Sequence, residues 1–146
     1  MTQQGAKDDN GKWMLPDGSP TYHVTKDKIV DWYTWSGFRR YHSECHVCHG
    51  PEGEGSTYAP ALVSSMKVLS YADFLAVVAG GRIRNAGGTE FVMPALGDNK
   101  NVMCYIEDIY NYLKARADGA QPRGRPAGRA DAPQEFKDNE KVCVGG

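Results

Sequence analysis

Cys45-His46-Val47-Cys48-His49 is the stretch that decides this sequence. Its spacing, C-x-x-C-H, is the pattern of covalent haem attachment. Two thiols so placed at a bent helix end can each add to one vinyl group of the same porphyrin. The adjacent His49 is then held under the iron as an axial ligand. Half of a zinc site would need a second C-x-x-C pair, and the sequence has none. A redox dithiol belongs between a strand and a helix, whereas this pair closes a helical pattern. An ordinary disulfide between Cys45 and Cys48 stays open at this level.

Upstream of the motif, Ile29, Tyr33, Gly37 and Tyr41 fall on one stripe at four-residue spacing. This predicts a first helix that starts near Thr25, a capping residue, and ends near Cys45. Downstream, residues 50–59 carry Pro51, Gly53, Gly55 and Ser56 and read as loop. Ser70 followed by Asp73 resembles a capping box and opens a second helix over 70–79, stopped by Gly80-Gly81. Residues 82–97 hold Gly87, Gly88, Gly97 and Pro94 and are expected to be mostly irregular. A third helix is predicted over 99–116, where Val102, Tyr105, Ile106, Ile109, Tyr112 and Leu113 repeat at helical spacing. Lys114 and Arg116 suit its C-terminal dipole. Residues 118–133 are rich in Gly, Pro, Ala and Arg and read as a tail without a core of its own. Residues 1–20 are polar, with Trp13, Met14 and Leu15 available to tuck against the core.

Bulk properties fit one small domain. The chain has 146 residues, 40% hydrophobic and 24% charged. A formal net charge of −1 does not suggest a nucleic-acid binder. The longest apolar run, 74–79, is far too short to cross a bilayer. Met1-Thr2-Gln3-Gln4 leads into polar sequence, so no signal peptide is read here. The expectation is a mature secreted chain with an added start.

Met93, in Met93-Pro94 before the last predicted helix, is the candidate sixth ligand of the iron. A thioether is a soft, neutral ligand that raises the iron potential relative to a second histidine. Met66 and Met103 are rivals, and a gap-filling core role is the plain alternative for Met93. His23, His42 and His46 have no partner motif and read as surface histidines.

The ordered set of motifs resembles the class I c-type cytochromes over about residues 26–117. Gly37, Tyr41 and Cys45 follow one another with three residues in each gap, as in that family's first helix. The C-x-x-C-H motif comes next. Tyr58-Ala59-Pro60-Ala61-Leu62 resembles the segment whose proline carbonyl accepts the axial histidine's N–H. Met93-Pro94 then precedes a last helix ending Asp108-Ile109-Tyr110-Asn111-Tyr112-Leu113-Lys114. The resemblance implies an all-α fold, one haem c wrapped by three main helices and loops, with N- and C-terminal extensions. It also implies roles. Pro60 would orient His49, Leu62 would pack on the porphyrin, and Ile109 and Tyr112 would pack on Gly37 and Tyr41. The expected division is an extension over 1–25, a haem-binding domain over 26–117 and a tail over 118–146.

A narrower resemblance follows from the four cysteines, Gly50-Pro51-Glu52-Gly53-Glu54-Gly55-Ser56 and the Cys-containing tail. These look like the c-type cytochromes of methanol metabolism, relatives of cytochrome cL. That likeness implies a periplasmic, monomeric one-electron carrier, not an enzyme. It would accept electrons from a pyrroloquinoline-quinone (PQQ) methanol dehydrogenase and pass them to a smaller cytochrome c. Alternatives are a carrier for another periplasmic redox enzyme, or a haem enzyme or sensor with a displaceable sixth ligand.

Cys104 and Cys143 are expected to form a disulfide, because the tail has too few apolar residues to dock by burial alone. Two unrelated thiols are the alternative. Arg82 and Arg84 are candidates to pair with the haem propionates, against the alternative of solvated surface arginines. Tyr58 and Asn85 are weaker hydrogen-bond donors to that site. Val47, Gly50, Pro51, Ala95 and Leu96 are expected around the exposed haem edge. Arg123, Arg125 and Arg129 either steer an acidic partner or form a solvated tail.

Overall fold

The computed structural model describes residues 6–7, 11–45, 53–54, 62–86 and 88–145, with backbone only at 6–7, 84–86, 89 and 91. Helix α1 (Trp32–Glu44) starts seven residues later than the periodicity suggests. Its cap is Asp31, whose carboxylate accepts from the Thr34 N–H at 3.2 Å and the His23 N–H at 2.9 Å. Asp31 is 4% exposed, and that burial pushes its carboxyl pKa up. Thr25 caps something else. Its hydroxyl accepts from the Ile29 N–H at 3.1 Å, closing a turn in which Lys28 takes φ 66°. That turn leads into strand β3 (Ile29–Val30), so no helix can run through it.

Short α2 (Leu62–Ser65) and α3 (Tyr71–Gly80) follow. Ser70 caps α3, accepting from the Asp73 N–H at 3.1 Å, as the sequence indicates. Gly81 ends it with φ 77°.

The third predicted helix is broken into α4 (Lys100–Met103) and α5 (Ile106–Ala117). Tyr105 interrupts it with φ −125° and ψ 20°. The residues at the break are tied to a helix that the sequence did not announce, α6 (Gln134–Cys143). Cys104 forms the expected disulfide with Cys143, Cα–Cα 5.9 Å, and the Tyr105 hydroxyl bonds to Glu140. Phe136 of α6 also lies against Trp32, Tyr33 and Tyr105, with centroids at 5.3, 5.6 and 6.4 Å. The tail therefore docks through one aromatic anchor as well as the cross-link.

Helices α1 and α5 form the main packing interface. Gly37 makes it possible: a methyl group there would overlap the Asp108 carbonyl and lie 3.0 Å from the Ile109 nitrogen. Tyr41 and Tyr112 pack at 5.8 Å between centroids on the same crossing. Around this seam Met66, Phe74, Val78, Val102, Ile109, Tyr110 and Leu113 make one continuous core.

The all-α expectation needs correction. Residues 82–97 are not mostly irregular: β4 (Arg82–Ala86) and β5 (Thr89–Met93) form an antiparallel hairpin. Its register pairs Arg82 with Met93 and Ala86 with Thr89. Two residues separate Ala86 from Thr89, and Gly88 takes φ 81°, which suits a two-residue hairpin turn. Two further short ladders lie among the described residues. Strand β1 (Ala6–Lys7) pairs antiparallel with β2 (Trp13–Met14), and β3 pairs parallel with β6 (Gly128–Arg129). Among the described residues no helix is long and apolar enough to cross a membrane.

Candidate cofactor site

Cys45 sits at the end of α1 as its C-cap, its N–H donating to the Tyr41 carbonyl at 2.8 Å. Cys48, His49 and Pro60 lie outside the described residues, as do His46, Val47, Gly50, Pro51 and Tyr58. The chain beyond the motif is nevertheless clipped to α5. Gly53, at φ 78°, is buried where a Cβ would come 3.3 Å from Leu113. Its backbone bonds the fully buried Tyr41 hydroxyl, whose pKa burial drives upward. Glu54 accepts from Arg116 at 2.6 Å, and the Arg116 guanidinium is itself buried and bonded to the Gln121 carbonyl at 2.9 Å. These anchors were not read from the sequence. Only the Gly50-Pro51-Glu52-Gly53-Glu54 composition hinted at a built loop.

Met93 is held from three sides. It closes the β4–β5 ladder opposite Arg82. Gly81 lets the chain pass so closely that a Cβ there would lie 2.7 Å from the Met93 carbonyl oxygen and 2.8 Å from the Ala95 nitrogen. The chain after Met93 is then zipped to the end of α3, Leu96 N–H to the Val78 carbonyl at 2.9 Å and Gly97 N–H to the Ala79 carbonyl at 3.1 Å. Gly81 is a positioning residue that the sequence read only as a helix stop.

Cys45, Leu62, Met93 and Leu96 are all half-buried and pack against the same core cluster. Val63, Leu69 and Leu75 join them. Of the rival methionines, Met66 is fully buried inside the core and Met103 packs against it from α4. Arg82 is exposed at the start of β4. Arg84 lies opposite Phe91 in the ladder, and its side chain, like that of Asn85, is outside the described residues. His42 and His23 are not plain surface residues. His42 bonds the Phe38 carbonyl through Nδ1 at 2.8 Å among aromatic rings, and His23 stacks on Trp13 at 3.8 Å.

Comparison with known proteins decides the family. The chain is 57% identical to the c-type cytochrome XoxG from Methylobacterium extorquens AM1, whose crystal structure it matches with a TM-score of 0.89. The match covers 96% of this chain and 86% of that one. It is 44% identical over 96 residues to cytochrome c-555 of Methylococcus capsulatus, covering 65% of this chain and 72% of that protein. The chain belongs to the c-type cytochromes. This cytochrome is also 53% identical over 138 residues to cytochrome c-553I of Paracoccus denitrificans. It spans 61% of that relative's length while 94% of its own is matched. No protein-family model matches the chain.

Cytochromes c are electron-transfer proteins, not enzymes, and carry covalently bound haem c, so haem c is the cofactor here. The described residues suit that group. A cysteine at a helix end and a methionine thioether face one apolar cluster, the surroundings a porphyrin requires.

Proposed function

We propose that this cytochrome is a periplasmic one-electron carrier. In this reading it accepts electrons from a PQQ-dependent methanol dehydrogenase and passes them to a smaller cytochrome c. The observation that carries the reading is the likeness to the c-type cytochrome XoxG over 96% of this chain and 86% of that one, beside the sequence's resemblance to the c-type cytochromes of methanol metabolism.

Cys45 and Cys48 would hold the haem through thioethers, and His49 and Met93 would ligate its iron. Haem c so held supplies an iron that takes up and releases one electron at a time. The chain's own residues do the rest. By the resemblance, Pro60 would offer its carbonyl to the His49 ring and fix the tautomer. Leu62, packed against the core cluster, would help exclude water from the haem. Arg82 and Arg84 would balance the propionates. Met93, whose backbone is fixed by Gly81 and the hairpin register, would supply its thioether to the iron and so keep small oxidants out.

Rapid mixing tests this directly. Reduced methanol dehydrogenase added to the ferric cytochrome should reduce its haem at rates that support turnover. Failure of that donor, with rapid reduction by another periplasmic donor, would remove the methanol assignment and leave the carrier.

A further inference from the structure

Along the first two turns of α1 the tail folds back and builds a cationic pocket. The β3–β6 ladder, Ile29 to Gly128 and Val30 to Arg129, together with the Ala130 N–H donating to the Val30 carbonyl at 2.9 Å, fixes the tail there. Pro126 is buried beneath it. The pocket is about 360 Å³ and is lined by Trp32, Trp35, Arg39, Arg125 and Arg129. A second pocket of about 240 Å³ adjoins it across Trp32 and Arg39.

The guanidinium groups are pre-arranged. Arg125 stands 4.8 Å from the Trp35 ring centre, and Arg129 stands 4.9 Å from Trp32 and 5.8 Å from Trp35. Such stacking holds the planar group still and leaves its N–H edge available for carboxylates. Among the described residues no carboxylate lies within 4.0 Å of Arg39, Arg125 or Arg129, whereas Arg40 and Arg116 are paired with Glu140 and Glu54. The Trp32 Nε1–H, on the wall shared by both pockets, is buried with no acceptor among the described residues.

We propose that this pocket binds an acidic segment of a protein partner, which presents several carboxylates to Arg39, Arg125 and Arg129. Two adjoining pockets of this size exceed what one small anion fills and match a run of side chains. With a net charge of −1, the whole molecule has no long-range pull on an acidic partner, so attraction must come from this patch. Trp32 stands thirteen residues from Cys45 along α1, about 20 Å at the helical rise, and Arg39, on the nearer side of the pocket, six residues or about 9 Å, so a partner anchored on the tryptophans lies toward the opposite end of α1 from Cys45. The assignment rests on α1 and the tail, and not on which protein donates electrons.

The test uses the ferrous holoprotein, with indole N–H signals followed by NMR while a hexaglutamate peptide is added at constant ionic strength. Trp32 and Trp35 should shift and saturate, while Trp13, outside the pocket, serves as the internal control and stays fixed. R125Q/R129Q, and independently R39Q on the exposed side of α1, should weaken binding by about tenfold or more. An unchanged haem spectrum shows that the variants are folded. The proposal is overturned if the peptide moves neither indole, if the variants bind as wild type does, or if inorganic phosphate saturates the same signals at the same concentration. Reduction by the dehydrogenase is a separate readout, so either result leaves the carrier assignment to be judged by its own experiment.

Discussion

The Ser36 hydroxyl donates a 2.7 Å hydrogen bond to the Asp108 carboxyl, beside the point where Gly37 brings α1 onto α5. Asp108 is 5% exposed, and burial raises its pKa from 3.8 to about 8, opposed by the Ser36 bond. Glu107 and Asp31 push it further up, and Lys12, paired with Glu107 at 2.7 Å, pulls it down. At neutral pH this helix crossing therefore contains a largely neutral carboxylic acid.

A pH dependence of stability follows. The folded state binds the Asp108 proton more tightly than the unfolded chain does. Its contribution is complete below about pH 4 and is lost as pH rises toward about 8. Asp108→Asn keeps an acceptor for Ser36 and removes the titration. Its stability relative to wild type should rise by a few kcal/mol (order of magnitude) between those limits. Urea denaturation of both proteins at several pH values checks this, and parallel curves would refute it.

Gly37→Ala should lower stability by roughly 1–3 kcal/mol, because a methyl group forces α1 and α5 apart over backbone that cannot yield cheaply. The urea midpoint reads the loss. An unshifted midpoint would mean that the crossing is looser than described.

Replacing Cys104 and Cys143 together by serine removes a cross-link between residues 39 apart in sequence. The chain-entropy model gives a cost of roughly 4 kcal/mol. Helix α6 should then open first, leaving Phe136 and Glu140 as its remaining anchors. Limited proteolysis should cut after residue 118 in the variant and spare the wild type. Equal resistance would show that the aromatic anchor alone suffices.

Met93→Ala should remove the sulfur-to-iron charge-transfer band of the ferric protein and lower its potential, while Met103→Ala leaves both in place. Gly81→Ala should weaken the band, since a Cβ there displaces the Met93 carbonyl. Loss of the band in Met103→Ala instead would transfer the ligand role to α4.

The parts of the fold that were readable are those set by local spacing. Gly37, Tyr41 and Cys45 on one helical stripe, and Ser70 with Asp73, translate into α1 and α3 because capping and periodicity act over a few residues. The start of α1 is ambiguous in the sequence because Thr25 and Asp31 are both good caps, and the burial of Asp31 separates them. The hairpin is hard to read because Gly87-Gly88 is equally the composition of a loop and of a turn joining two strands. Helix α6 was hidden because its docking depends on Phe136 meeting Trp32 and Tyr33, a contact between distant parts of the chain. For the site, residue types named Cys45 and Met93, but Gly81, Gly53 and Arg116 became visible only through who touches them.

Intact mass after denaturation is the most direct trial of the haem tether at positions 45 and 48. The protein matured in a host competent for cytochrome c assembly should exceed its polypeptide mass by one haem, and Cys48→Ser should weaken or abolish that tether. A protein of bare polypeptide mass from the same host would contradict the account.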